Sequence, residues 1–202
     1  MTAAILLAAG ESTRMGSPKA LLPWGKVTLI EYQVRQFRAA GVDEIVVVLG
    51  HAADEIRERV PDTARVVVNL HFQEGRATSL RAGALALSDD ADPIVVLNVD
   101  QPRPGDLISR LIKAAVTNDA LINRPVFGKE HGHPIVLAGS LLDELRRVEE
   151  DYQGLLGVVN AHRDEMQEID LEDERVLVDF NTPEEYEKAL ARFGQSQRPS
   201  LD

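Results

Sequence analysis

The chain has 202 residues, no cysteine and a formal net charge of -11. The missing cysteines exclude disulfides, thiolate catalysis and cysteine-ligated metals. The acidic balance excludes broad binding along a nucleic-acid backbone, which needs concentrated positive charge. Only 4% of residues are aromatic against 44% apolar overall, so the core must be built from Val, Leu, Ile and Ala. A cysteine-free chain of this kind is compatible with the cytoplasm.

Ala3–Ala8 is a continuous apolar run. It is too short to span a membrane and lacks the basic flank of a signal peptide, so it reads as a buried strand. No other segment approaches transmembrane length. A glycine-containing turn follows. Thr28–Ala40 reads as a helix, with Thr28 as cap, Glu31 at the capping-box position and Gly41 as the stop. Glu44–Leu49 gives a β-branched strand, Ala53–Val60 a helix stopped by Pro61, and Arg65–Asn69 a third strand. Ala77–Leu87 reads as a helix and Pro93–Asn98 as a fourth strand. Near-continuous apolar strands between amphipathic helices indicate an α/β fold with a largely parallel sheet covered on both faces.

The second half is less regular. It predicts helices over Asp106–Ala115 and Ser140–Arg147, and strands over Ala120–Asn123, Ile135–Ala138, Met166–Leu171 and Val176–Phe180. Thr182 caps a last helix running to about Phe193, with Pro183 at its first position and Glu185 third after the cap. The segment Gly194–Asp202 is polar and reads as a frayed, flexible tail.

The strongest local signal is Leu7-Ala8-Ala9-Gly10-Glu11-Ser12-Thr13-Arg14-Met15-Gly16-Ser17-Pro18-Lys19, directly after the first strand. Ligands of open α/β sheets bind outside the carboxyl ends of strands. Small residues at Ala8, Ala9 and Gly10 let backbone N–H groups approach phosphate oxygens, and Arg14 and Lys19 add positive charge. The pattern is neither the dinucleotide fingerprint nor Walker A. The plainer alternative is a glycine turn between strand and helix. Asp100, after the fourth strand, is a hard oxygen ligand suited to Mg²⁺, or else the cap of a turn before Pro102.

These residues resemble the MobA-like nucleotidyltransferase superfamily, most closely its molybdenum cofactor cytidylyltransferase branch. That family opens with L-A-A-G-x-S-x-R-M-G-x-x-K, which stands intact from Leu7 to Lys19 and continues as Leu21-Leu22-Pro23-Trp24-Gly25. The resemblance implies a Rossmann-like three-layer α/β/α sandwich with a mostly parallel, mixed sheet. It implies one nucleotidyltransferase domain over residues 1–193. Its opening loop wraps the triphosphate of an incoming NTP, with Arg14 and Lys19 on the phosphates. The Ala8-Ala9 pair is similar to the cytidylyltransferases, which favours CTP over GTP.

The D-Q-P of the family's L-x-D-Q-P segment falls on Asp100-Gln101-Pro102, which implies Mg²⁺ on Asp100 and an acceptor-side role for Gln101. The residue before its Thr-Pro pair is the usual second metal ligand. That is Asn181, with Asp179 as a supporting residue or as the ligand itself. Asn69, Gly75 and Ser79 match a segment near the nucleotide, and Gly50 a glycine after the second strand. Arg76 is either a contact to a second phosphate or an exposed arginine at a helix start. Gly132-His133-Pro134 resembles the family's G-H-P, which places His133 in the acceptor pocket. His131, two residues earlier, invites a zinc reading, but no third ligand lies nearby. Asp151 stands where the family carries G-D-x-G-A-R; the spacing differs and no arginine follows. The implied reaction is transfer of CMP from CTP to a small phosphorylated acceptor such as molybdopterin. The implied protein partner is a molybdenum hydroxylase, to which the product is delivered. Sugar or alcohol phosphates, a GTP-using enzyme, or a non-catalytic cofactor carrier remain alternatives.

Overall fold

The computed structural model describes residues 1–194; apart from Gly194, the segment read as a frayed tail lies outside them. The first half alternates strand and helix as its apolar runs dictate. β1 (Ala3–Ala8) leads into the loop that carries Arg14 and Lys19. A small hairpin of β2 (Pro23–Trp24) and β3 (Val27–Thr28), unforeseen from the sequence, turns at Gly25 and feeds α1 (Leu29–Ala39). β4 (Glu44–Leu49), α2 (Ala53–Arg57), β5 (Arg65–Val68), α3 (Arg76–Ala86), β6 (Ile94–Asn98) and α4 (Gly105–Ala115) follow. Then come β7 (Ile122–Phe127), β8 (Glu130–His131), β9 (Ile135–Leu137), α5 (Leu142–Leu145), α6 (Gly154–Ala161), β10 (Met166–Asp170) and α7 (Pro183–Phe193).

The main sheet runs β10-β7-β9-β6-β1-β4-β5, with β8 beside β7. β9 is antiparallel to both β6 and β7, and β8 is antiparallel to β7; the other pairs are parallel. The fold is therefore the expected three-layer sandwich around a mixed, mostly parallel sheet. Side chains alternate between two cores. Leu6, Val47 and Leu97 face α1 and α4, with α7 packed outside. Ile5, Val48 and Val96 face α3, α5 and α6. Burial on both faces is why these strands are apolar at every position.

Both predicted capping boxes form. The Thr28 hydroxyl accepts from the Glu31 N–H and the Glu31 carboxylate accepts from the Thr28 N–H; Thr182 and Glu185 repeat the arrangement. Three readings are corrected, and one helix was not foreseen. The helix predicted to Val60 ends at Arg57 and continues only as a turn. β7 extends beyond Asn123, through Pro125 to Phe127; Pro125 has no N–H to donate, but its carbonyl accepts from Gly132 N at 2.8 Å. α6 lies where Gly154 and Gly157 masked a helix. Val176–Phe180 is no strand: a 3₁₀ turn over Glu174–Leu177 is followed by extended, unpaired chain. Its carbonyls go elsewhere, because the Arg103 guanidinium donates to Val176 O at 2.6 Å and to Val178 O at 2.8 Å.

Among the described residues, no helix is long and apolar enough to cross a membrane.

Candidate active site

A cleft of about 450 Å³ opens at the carboxyl ends of β1 and β6. Its floor is the loop after β1. Ser12 adopts a left-handed conformation (φ 53°), and its hydroxyl accepts from the Lys19 N–H at 3.1 Å, so the loop closes on itself. Leu7, Ala8, Ala9, Gly10, Ser12, Arg14 and Lys19 all line the cleft. Across from them stand Arg76 and Ser79 of α3, Asp100 and Gln101 after β6, and His133, Asp179 and Asn181.

Three oxygens converge on one point. The Lys19 ammonium donates to Asp100 Oδ2 at 2.6 Å, to the Phe180 carbonyl at 2.9 Å and to Asn181 Oδ1 at 3.1 Å. Arg14 donates to the same Asn181 oxygen at 3.4 Å. Asn181 is held in this orientation because its Nδ2 donates to Asp179 Oδ1 at 3.2 Å. Asp179 therefore stands behind Asn181, with its other oxygen accepting from Gln101 Nε2 at 2.9 Å. Burial pushes the Asp100 carboxyl above its ordinary value, and the Lys19 hydrogen bond and charge oppose the rise. The cleft's formal charges cancel: Arg14, Lys19 and Arg76 stand against Glu11, Asp100 and Asp179. The donors suit a hard cation, since a carboxylate and an amide oxygen already share one ammonium. Among the described residues no group of three His, Cys, Asp or Glu forms a metal cage, so a cation here takes its remaining oxygens from water or from a ligand.

Other residues named from the sequence fall just outside. Asn69 is buried behind the wall: its Nδ2 donates to Thr78 Oγ1 and Ser79 Oγ at 2.8 and 3.0 Å, which orients Ser79. Gly50 does not line the cleft but touches its loop. A Cβ there would lie 2.7 Å from the Ala9 carbonyl and 2.7 Å from Phe72 Cβ. Gly50→Ala is thus expected to cost about 1–3 kcal/mol, read as a lower midpoint in urea unfolding. An unchanged midpoint would mean the loop and Phe72 part freely.

Gly75 precedes α3 with φ 120°, packed against the Glu150 side chain. Asp151 is exposed and lines nothing in the cleft. Its neighbour Glu150 makes the connection instead, accepting from the Ala77 N–H at 2.8 Å near the start of α3. Gln101 lines the cleft, but both ends of its amide are engaged: Oε1 accepts from Asn98, and Nε2 is on Asp179. His131 faces Glu168 at 2.6 Å, outside the cleft.

Sequence reading missed Gln33 and Arg103. Gln33 is fully buried on α1, and its Nε2 donates to the Gln101 carbonyl at 2.8 Å while its Oε1 accepts from Arg103 N at 3.2 Å. The available signal was a polar residue within an apolar helix face. Asn98, which also lines the cleft, was legible only as the last residue of its strand.

His133 sits where burial, aided by the Arg103 charge, pushes its imidazole down to about 4. It is neutral at pH 7. Its folded value lies below the unfolded one, so stability is complete above about 6.5 and falls as pH drops through about 4. His133→Asn should remove about 3 kcal/mol of the acid-side loss, measured as the difference between urea curves at pH 7 and pH 4. Equal losses in both proteins would place the titration elsewhere.

A loop carrying Arg14 and Lys19 beside converging hard oxygens, at the carboxyl ends of parallel strands, is the arrangement expected of an α/β nucleotidyltransferase. Residues 4–166 match the MobA-like NTP transferase domain, and the chain belongs to that family. It is 26% identical to the molybdenum cofactor cytidylyltransferase of Escherichia coli K12, over 94% of this chain and 95% of that protein. It is 33% identical to nicotine blue oxidoreductase of Paenarthrobacter nicotinovorans, over 68% and 71%. It is also 37% identical over 120 residues to the bifunctional protein GlmU of Symbiobacterium thermophilum, spanning only 26% of that protein's length. Rv0371c of Mycobacterium tuberculosis H37Rv superposes with a TM-score of 0.81 at 29% identity, covering 94% of this chain and 97% of that one. Its manganese complex superposes at 0.78.

Proposed function

We propose that this chain is a Mg²⁺-dependent cytidylyltransferase that transfers CMP from CTP to molybdopterin and releases pyrophosphate. The observation that carries the reading is the convergence of Asp100 Oδ2 and Asn181 Oδ1 on Lys19 Nζ beside the Leu7–Lys19 loop. Asp100 and Asn181 would hold the cation, with Asp179 orienting Asn181. A formally neutral cleft that takes up a triphosphate needs such added positive charge. The choice of CTP and of molybdopterin is supported by the Ala8-Ala9 pair and by similarity along nearly the whole length of the E. coli cytidylyltransferase.

An anionic phosphate oxygen of the acceptor attacks the α-phosphorus of the nucleotide. The bond to the bridging oxygen breaks, and pyrophosphate leaves with that electron pair. The nucleophile is already charged near neutral pH, so no strong base is required, and His133, neutral there, is not asked to supply one. Lys19 and Arg14 hold the charge that grows on the leaving pyrophosphate. Backbone N–H groups of Ala9 to Ser12 cradle its oxygens. Arg76 and His133 line the acceptor side, where Gln101 positions Asp179, and Ser79 stands on the nucleotide side. Bound Mg²⁺ would supply Lewis-acid polarisation of the α-phosphate.

The test is pyrophosphate release with CTP, GTP, UTP or ATP and molybdenum-containing molybdopterin. Release with CTP alone supports the reading. Release only with a sugar or alcohol phosphate favours the second reading, which rests on Asp151 lying outside the cleft. Binding of molybdopterin without turnover would make the chain a carrier that delivers cofactor to a molybdenum hydroxylase.

A further inference from the structure

Arg103 is 0% exposed, yet no carboxylate touches its guanidinium among the described residues. It donates only to carbonyls. Nε reaches His133 O at 2.7 Å, Nη1 reaches Pro102 O at 3.0 Å and Val178 O, and Nη2 reaches Val176 O. An ion with no contact counter-ion is expensive to bury, and an apolar side chain of similar volume often costs less. Stability alone therefore does not account for an arginine here. The negative charges that act on it include Asp179 and Asp100, both in the cleft.

The connectivity gives Arg103 a task. It lies three residues after Asp100, and Val178 lies three residues before Asn181. Its planar fork ties the two loops together close to both residues, where a paired strand would otherwise have been needed. The same fork holds the backbone of His133, whose N–H donates back to Val176 O at 3.0 Å. A lysine ammonium has three N–H donors at one point, too few for the four carbonyls that the fork reaches.

We propose that Arg103 is a positioning residue that sets the separation of Asp100 from Asn181, and thereby the affinity of that oxygen pair for a divalent cation. The inference rests on reading those two residues as the cation ligands.

The test is Mn²⁺ titration followed by electron paramagnetic resonance, with saturating CTP, on native, Arg103→Lys and Arg103→Met chains. Folding is checked by far-ultraviolet circular dichroism. The Mn²⁺ dissociation constant should rise about 10- to 100-fold in both variants, while CTP affinity measured without metal stays the same. The Mg²⁺ concentration for half-maximal activity should rise in step. Folded variants that bind Mn²⁺ as the native chain does would overturn the proposal, whatever their melting temperature. If neither variant folds, the nitrogen-15 NMR signal of the Arg103 Nε–H in the native chain decides. A shift and slower exchange when Mg²⁺ and CTP bind support the role, and an unmoved signal at saturation refutes it. A native chain that takes up no Mn²⁺ with CTP refutes the ligand reading itself, and the role of Arg103 with it.

Discussion

Asp100→Asn should lower kcat for pyrophosphate release about a thousandfold. A Lewis-acid cation contributes several kcal/mol to transition-state stabilisation, and about 1.4 kcal/mol is tenfold in rate. Asparagine keeps an oxygen for the Lys19 ammonium but removes the charge that a cation needs. The same change should not lower the melting temperature at pH 7. Burial raises the Asp100 carboxyl above its ordinary value, so ionising it works against the folded state, and a neutral amide relieves that cost. Activity within tenfold of native would remove Asp100 from the reaction. Lost activity together with a collapsed melting temperature would make it a structural residue.

Lys19→Met is the second large effect. With CTP and acceptor, kcat/KM should fall about 10²- to 10³-fold, because a preorganised cation facing the leaving group is lost. Binding of free Mn²⁺ without nucleotide should move the opposite way and tighten about tenfold or more. The ammonium now sits on both oxygens, 2.6 Å from Asp100 and 3.1 Å from Asn181, and a like charge at that range repels an arriving cation. Isothermal titration with MnCl₂ checks it. Unchanged Mn²⁺ affinity would mean that the cation binds elsewhere.

The parts legible in the sequence were those whose interactions are short in sequence. The capping boxes at Thr28 and Thr182 join residues three apart, so composition and spacing were enough to place them. The strands at Ala3–Ala8 and Glu44–Leu49 were legible because burial on both faces demands an apolar run, unbroken over Ala3–Ala8 and over Ile45–Leu49. The loop from Leu7 to Lys19 was legible because its residues keep the family's opening motif in an unbroken stretch.

What could not be read depends on partners far away in sequence. Gln101 matches an acceptor-side residue by pattern, but only the fold brings Asp179 to it across 78 positions. Val176–Phe180 has the composition of a strand. Whether it pairs is decided by Arg103, more than 70 positions earlier, which takes the carbonyls that a neighbouring strand would have used. Asp151 was singled out on a motif whose spacing this chain does not keep, and Glu150 is the residue that reaches α3.

The sequence by itself determined the layers, the cleft-lining loop and the kinds of side chain brought to the cleft. It did so through periodicity, local capping and the steric demands of a tight turn, all of which act over a few residues. Only the tertiary structure decided which oxygens meet. Asp100 and Asn181 stand 81 positions apart, and their convergence on Lys19 depends on a buried guanidinium and a buried amide whose hydrogen bonds exist only after the chain has folded.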